Sequence, residues 1–427
     1  MTSPPDKKRR AGYAPAANGD VGRRGLHTRD RILACAADVF LANGFHGTSL
    51  DAIAKAAKSS RATVYQYFAG KEEIFRELST AAERAVLDHG DSLGALGPTS
   101  DGVAALHRWL AEWADVYDVH AAAFAEYPGI GTELSVGDTH AVAETFAEKV
   151  TARVRTAGVD GLDPDSASAA LVRIPHMVHL YRYRSMFPLP DRDVVTSSLT
   201  VALQLMLFPD TPDDALNAIT SRPSEGSPGA LPGGAPPEAT PATTLSPIAL
   251  DVLSASSSLF AEHGYHGVGM EQIAAAAQLS RATLYRYFST KVEILAELTH
   301  LAVAEIEIRA AALPAMDAAS LTPWMLGYVT FHRTYRGVIR AWLDGTVAEQ
   351  LSDASVGHGI GAIHQAVLTM LCTANLPAQL DVRVASAVFL AVLGRMTEPT
   401  SRDEAANDER AAELMVTLLR RSFARLR

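Results

Sequence analysis

The segment starting at Phe40, FLANGFHGTSLDAIAKAAKSSRATVYQYFAGKEEIFREL, recurs from Phe260 as FAEHGYHGVGMEQIAAAAQLSRATLYRYFSTKVEILAEL, at a constant offset of 220 residues. Of the 39 paired positions, 20 are identical, where ordinary composition gives about two or three. Whatever one copy folds into, this chain must build twice. Between the copies, residues 221–247 hold seven prolines and four glycines in 27 positions, a composition that cannot bury a core. The expected organisation is a mobile tail over 1–25, a small domain over 26–80, a helical domain over 81–209, and a linker over 210–244. A second small domain over 245–299 and a second helical domain over 300–427 follow.

The periodicity is helical throughout. Ile32, Val39 and Phe40 make one apolar stripe, Leu50, Ile53 and Ala57 a second, and Val64 with Phe68 a third, each on a short segment bounded by Gly or Ser. Longer alanine-rich helices follow each copy, with breaks expected at Pro128, Gly158 to Pro164, Pro314 and the GHGIG run at 357–361. No window alternates as a strand, so the fold class is all-α. Four small-residue apolar helices, a pair ending each half near 165–187, 192–208, 380–396 and 404–424, are expected to bury one another as an intrachain bundle on a pseudo-twofold axis.

Within each copy a helix, a tight turn and a second helix starting at a serine make a helix-turn-helix outline. Ser60 and Ser280 suit the N-cap, where a hydroxyl accepts otherwise unpaired backbone N–H groups. Turning about 100° per residue from Arg61, Val64 and Phe68 fall on one side. Ala62 and Gln66 lie opposite, Thr63 nearby, and Tyr65 and Tyr67 about 100° to either flank. Small and hydrogen-bonding groups at the centre with long phenols at the edges suit a helix laid between two phosphate walls. Lys71 and Lys291 follow at a helix start, where an ammonium could meet phosphate. Thr290 and Glu293 have capping-box spacing.

Both copies resemble the DNA-binding domain of the tetracycline-repressor-type (TetR) regulators. The matching residues are Gly44, Phe45, Gly47, Thr48, Ser49, Ile53, Ala54, Ser60 to Thr63, Tyr65, Tyr67, Phe68, Lys71 and Glu72. The second copy supplies Gly264, Tyr265, Gly267, Ile273, Ala274, Ser280 to Thr283, Tyr285, Tyr287, Phe288 and Lys291. The resemblance implies a double-stranded DNA operator as partner. It implies base or phosphate roles for Arg61, Ala62, Thr63, Tyr65, Gln66 and Tyr67, with Arg281, Ala282, Thr283, Tyr285, Arg286 and Tyr287 as counterparts. It also implies a phosphate role for Lys71, a working dimer, and a small-molecule effector of unknown identity. With both copies in one chain, the polypeptide can be its own dimer. Half-sites stand about 34 Å apart, and a flexible 27-residue linker spans roughly 30 Å on average, more when proline-stiffened. A pseudo-dimeric monomer and a true homodimer both remain open.

The copies differ. Residues 28–78 carry seven Lys/Arg and six Asp/Glu, a balance of +1, whereas 248–298 carry three and five, a balance of −2. Thr48 and Ser49 offer hydroxyls for capping or phosphate contact where Val268 and Gly269 offer none. Copy two should therefore hold DNA more weakly. Gln66 suits adenine and Arg286 guanine, so the operator's halves should be unlike.

For the effector, the aromatic and histidine residues Trp109, Trp113, Tyr117, His120, Phe124 and Tyr127 mark a region in the first helical domain. Trp324, Tyr328, Phe331, His332, Tyr335 and Trp342 mark one in the second. Ordinary aromatic core is the competing reading for each. His176 and His179 lack a third metal ligand, Arg182 and Arg184 could hold an acidic ligand, and no metal site or cofactor is expected. Two distant cysteines, Cys35 and Cys372, a net charge of −10, no apolar leader and no long apolar run point to a cytoplasmic chain away from membranes. No catalytic spacing stands out, so an enzyme is not expected. Two functions stay in view: a ligand-responsive repressor reading DNA with two helices, or a ligand-binding or assembly protein whose reading heads are vestigial.

Overall fold

Hydroxyl side chains set the helix starts. Ser49 accepts the Ala52 N–H at 3.2 Å, Ser60 that of Thr63 at 3.1 Å, Ser280 that of Thr283 at 3.0 Å, and Thr290 that of Glu293 at 3.2 Å. The computed structural model describes residues 20–126, 139–219, 245–316, 318–342, 347, 351, 353–374, 376–400 and 407–423. Tyr127, the KKRR run and most of the proline-rich stretch lie outside them. Among the described residues there are seventeen α-helices and no strand, so the fold is all-α, as the periodicity implies.

Each head is built from α1 (Asp20–Gly47), α2 (Leu50–Ala56), α3 (Arg61–Tyr67) and the start of α4 (Lys71–Asp91). The second has α10 (Pro247–His263), α11 (Met270–Ala276), α12 (Arg281–Tyr287) and the start of α13 (Lys291–Ala312). Gly44 and Gly264 break the first helix of each head at φ 68° and 75°, a conformation open to glycine at no steric cost. The turn between α2 and α3 places Lys58 at φ 49°, matched by Gln278 at φ 57°, with the Ser59 N–H returning to Ala54 O at 2.9 Å. An L-residue held there is strained. Lys58→Gly is expected to raise the first head's stability by about 0.5–1 kcal/mol, read as a shifted denaturant midpoint.

Helices α5 (Ser100–Glu126), α6 (Thr139–Ala157), α7 (Pro164–Tyr183), α8 (Arg192–Leu207) and the short α9 (Asp213–Asn217) complete the first half. The second is completed by α14 (Ala318–Trp342), α15 (Asp353–Thr373), α16 (Val382–Arg395) and α17 (Asp408–Ser422). Leu199, Leu203, Val388 and Leu418 are among the residues fully or almost fully buried where α7, α8, α16 and α17 meet. Burying each such side chain contributes roughly 1.5–3 kcal/mol. Polar bonds fix the register across the halves: the Ser422 hydroxyl donates to Ala202 O at 3.1 Å, and Arg173 donates to Pro399 O at 2.8 Å. At the other end His46 stacks on His266, ring centroids 3.9 Å apart. These residues are 220 apart, so each meets its own repeat equivalent, as residues on a twofold axis do. The chain pairs with itself.

Three expectations are corrected. Helix α1 begins at Asp20, inside the expected tail. Helix α9 lies inside the expected linker, because Ala215 and Leu216 have a core to enter. The GHGIG run is no turn but part of α15, since Gly359 lets that helix approach α13: a Cβ there would meet the Val303 side chain at 3.0 Å.

The two heads attach differently. The first has a core of its own, including Ile32, Phe40, Val64 and Phe68, which Ala122 of α5 joins. The second head's Phe260, Ile273 and Leu284 are continuous with the main core. At Gly337 a Cβ would lie 2.2 Å from Ser257 O, so α14 and α10 touch backbone to backbone. The Ser257 hydroxyl, donating to Thr334 O at 2.7 Å, closes the same joint.

Candidate functional site

On α3 the buried side is Val64, with Phe68 following the helix. Arg61, Ala62, Tyr65 and Gln66 are exposed, and Thr63 and Tyr67 half-buried. On α12, Leu284 and Phe288 are buried, Arg281, Ala282, Tyr285 and Arg286 exposed, and Thr283 and Tyr287 half-buried. Tyr65 and Tyr285 are 47% and 44% exposed, each a phenol on a convex ridge. Tyr67 lies against its head's core while its neighbour Gln66 faces outward.

The ridge is preset. Arg61 donates to Asp51 Oδ2 at 3.0 Å and to the Tyr65 hydroxyl at 3.3 Å, and its guanidinium sits 5.5 Å from the Tyr65 ring centre. The Tyr65 hydroxyl and the Asp51 carboxylate both raise the Arg61 pKa. Arg281 pairs likewise with Glu271 at 2.5 Å. Ser60 and Ser280, exposed at the helix starts, each share a short hydroxyl contact with the threonine three residues on, at 2.9 and 2.8 Å. Arg286 leans on Tyr287, 5.3 Å from its ring centre.

Three expected phosphate contacts are corrected. The Lys71 ammonium donates to Phe45 O at 2.8 Å, Thr48 O at 2.9 Å and His46 O at 3.4 Å, which engages all three of its N–H groups. Burial lowers its pKa. Lys291 repeats the clamp on Tyr265 O at 2.6 Å and Val268 O at 2.7 Å, 4.2 Å above the Tyr265 ring. Each lysine ties the last turn of its head together from inside. Thr48 is only 3% exposed, its hydroxyl donating to Gly44 O at 2.7 Å, whereas Ser49 caps α2. Lys71→Met is therefore expected to cost the first head about 1.5–3 kcal/mol and to leave the salt slope of DNA binding unchanged, a pairing that melting and binding curves read separately.

Beside the first head a cavity of about 740 Å³ opens between α4, α5, α6 and α7, with Arg395 and Glu398 of the second half closing one end. Its size is that of ordinary small-molecule sites. Trp113 and Phe124 line it. Tyr117 is wholly buried behind, stacked 5.2 Å from His179, and His120 does not reach the lining. In the second half the expected aromatic region is packed: the Trp342 indole N–H donates to Thr299 at 3.1 Å, Thr397 and His332 Nδ1 lie 3.0 Å apart, and Tyr328 stacks on Trp324. His176 also lines the cavity, and burial pushes its pKa down to about 3, so it is neutral there. Arg182 faces Asp118.

Glu126 was not singled out by sequence. It is 8% exposed, lines the cavity, and its Oε1 accepts the Phe45 N–H at 3.1 Å, so one carboxylate touches both cavity and head. Arg184 lies 3.8 Å away. A signal existed: Glu126 is the only charged residue in the apolar run AAAFAEY closing α5.

Residues 32–78 and 252–298 each match the family described as bacterial regulatory proteins, tetR family. An HTH-type transcriptional regulator, YhgD, of Bacillus subtilis is 22% identical over 175 residues, covering 39% of this chain and 90% of that protein. That stretch is about the size of one half. The HTH-type transcriptional regulator QacR of Staphylococcus aureus is 33% identical over 58 residues, 14% of this chain and 31% of its own length. The HTH-type transcriptional activator FasR of Mycolicibacterium smegmatis is 44% identical over 43 residues, 10% of this chain and 20% of its own length. Among solved structures, a tetR-family regulator from Streptomyces coelicolor shares 17% identity, with 46% of this chain and 91% of that chain covered at a TM-score of 0.33.

Proposed function

The chain belongs to the tetR family of bacterial regulatory proteins and is a DNA-binding transcription regulator with the family's DNA-binding unit in tandem; on that premise we propose that it is a one-component, ligand-responsive repressor that grips one operator with both of its own heads. The carrying observation is the His46–His266 stack, which pairs the heads about the pseudo-twofold axis while Tyr65 and Tyr285 stay exposed. A single chain then supplies the two recognition helices that a symmetric dimer would take from two. Repression follows from occupancy of a promoter, and release from ligand entry into the first-half cavity. The site of action is the cytoplasm; no described helix is long and apolar enough to cross a membrane.

Selection of bound sequences from random duplexes tests this. Two unlike half-sites about one helical turn, ~34 Å, apart are expected, with guanine favoured where Arg286 reads and adenine where Gln66 reads. Recovery of a single half-site with random flanks would favour the alternative, in which one head is vestigial and the chain is chiefly a ligand-binding protein.

A further inference from the structure

The cavity is asymmetric. Helices α4 and α13 start at Lys71 and Lys291, which matches Ser79 with Thr299 and Glu83 with Val303. In the first half Ser79 and Glu83 line the cavity; in the second, Trp342 donates to Thr299 and Gly359 packs on Val303. Trp109 and Trp324 donate to His89 O and Arg309 O, which are 220 apart, so the next helices correspond at 324 − 109 = 215. That offset puts Ala341 where the first half has Glu126. The second half has thus replaced both carboxylates by apolar side chains and filled the space between.

The charge of the lining is also one-sided. Six carboxylates, Glu83, Glu126, Glu144, Glu148, Asp165 and Glu398, face three guanidiniums. Of those, Arg173 donates to the carbonyls of Arg395, Glu398 and Pro399, Arg395 stands beside Glu398, and Arg155 is exposed at the mouth. His176 is neutral. The inner wall carries Phe75, Trp113, Phe124 and Phe146, whose ring faces attract cations.

We propose that this cavity takes one aromatic or otherwise lipophilic organic cation per chain, its charge held by Glu126 and Glu83, and that occupancy acts on the first head through the bond from Phe45 N–H to Glu126. This rests on the ligand-responsive reading above. A cation drawn to the Glu126 carboxylate competes with the Phe45 amide for it, and so loosens the turn that also carries His46 and anchors Lys71. The first head, with its separate core, yields; the second, locked at Gly337, does not.

Calorimetric titration of the DNA-free chain with tetraphenylphosphonium and with tetraphenylborate, ions alike in shape and opposite in charge, tests the assignment. One phosphonium per chain and at least tenfold weaker borate binding are expected. Glu126→Gln should weaken the phosphonium at least tenfold; should that variant not fold, Glu83→Gln must shift affinity in the same direction. Ala82→Phe, which puts a ring into the cavity, should abolish binding of both ions. Borate binding as tight as phosphonium, two phosphonium ions per chain, or full binding by Ala82→Phe would overturn the assignment. Footprinting with phosphonium present separates the two levels: protection should vanish first from the half-site of the first head. Tight, Glu126-dependent binding with an unchanged footprint would overturn the coupling and the ligand-responsive reading while leaving the cavity's charge preference standing.

Discussion

Tyr65→Ala lowers operator affinity ten- to a hundred-fold, Tyr285→Ala lowers it by a smaller factor within that range, and the two together by close to the product. Each exposed phenol is the outermost group of its ridge, and Tyr65 also holds the Arg61 guanidinium beside it. A specific contact contributes about 1–3 kcal/mol, with each 1.4 kcal/mol worth a factor of ten in affinity. The heads share no side chain at these positions, so the losses add. The second head's −2 balance over residues 248–298 makes its share smaller. Gel-shift titrations at fixed salt check this. An unchanged affinity on Tyr285→Ala would mean that the second head does not read DNA.

The chain also loses stability steeply as pH falls from about 6.5 to 5. Burial holds His89, His179, His332 and His364 at a pKa of about 4 and His176 at about 3. In the unfolded chain each returns to roughly 6.5. The folded-state values are depressed, so these groups cost nothing above pH 6.5, and stability is lost as pH falls from there toward the folded values. By pH 5 an imidazole at about 4 accounts for roughly 2 kcal/mol, and two or three such groups rival the ~5–15 kcal/mol of a typical domain. The loss falls on the joint between the halves: His364 stacks on Phe187 at 4.3 Å, and Arg395 faces His176. Denaturant midpoints across this range should drop together for both halves, and His364→Phe should blunt the drop. A midpoint flat to pH 5 would contradict neutral burial.

The 220-residue repeat made the doubled architecture legible, because identical local signals must build identical local structure. Ser60 and Ser280 cap the helices their position announced, and the 100° arithmetic separated Val64 from Gln66 correctly. What failed needed tertiary distances. Lys71 looked free because nothing local reveals that three carbonyls of the preceding turn converge on it. The GHGIG run reads as a turn until Val303 is seen to require a bare backbone opposite. Trp342 and Trp113 look equivalent in sequence, yet one fills its half while the other lines a cavity. Glu126 went unnoticed since its partner, the Phe45 amide, lies 81 residues away.

The mass of the complex formed on a duplex carrying one selected operator tests the doubled-head mechanism most directly. One chain per duplex, with both half-sites protected, is the predicted result. Two chains bound to that duplex, each protecting a single half-site, would contradict it.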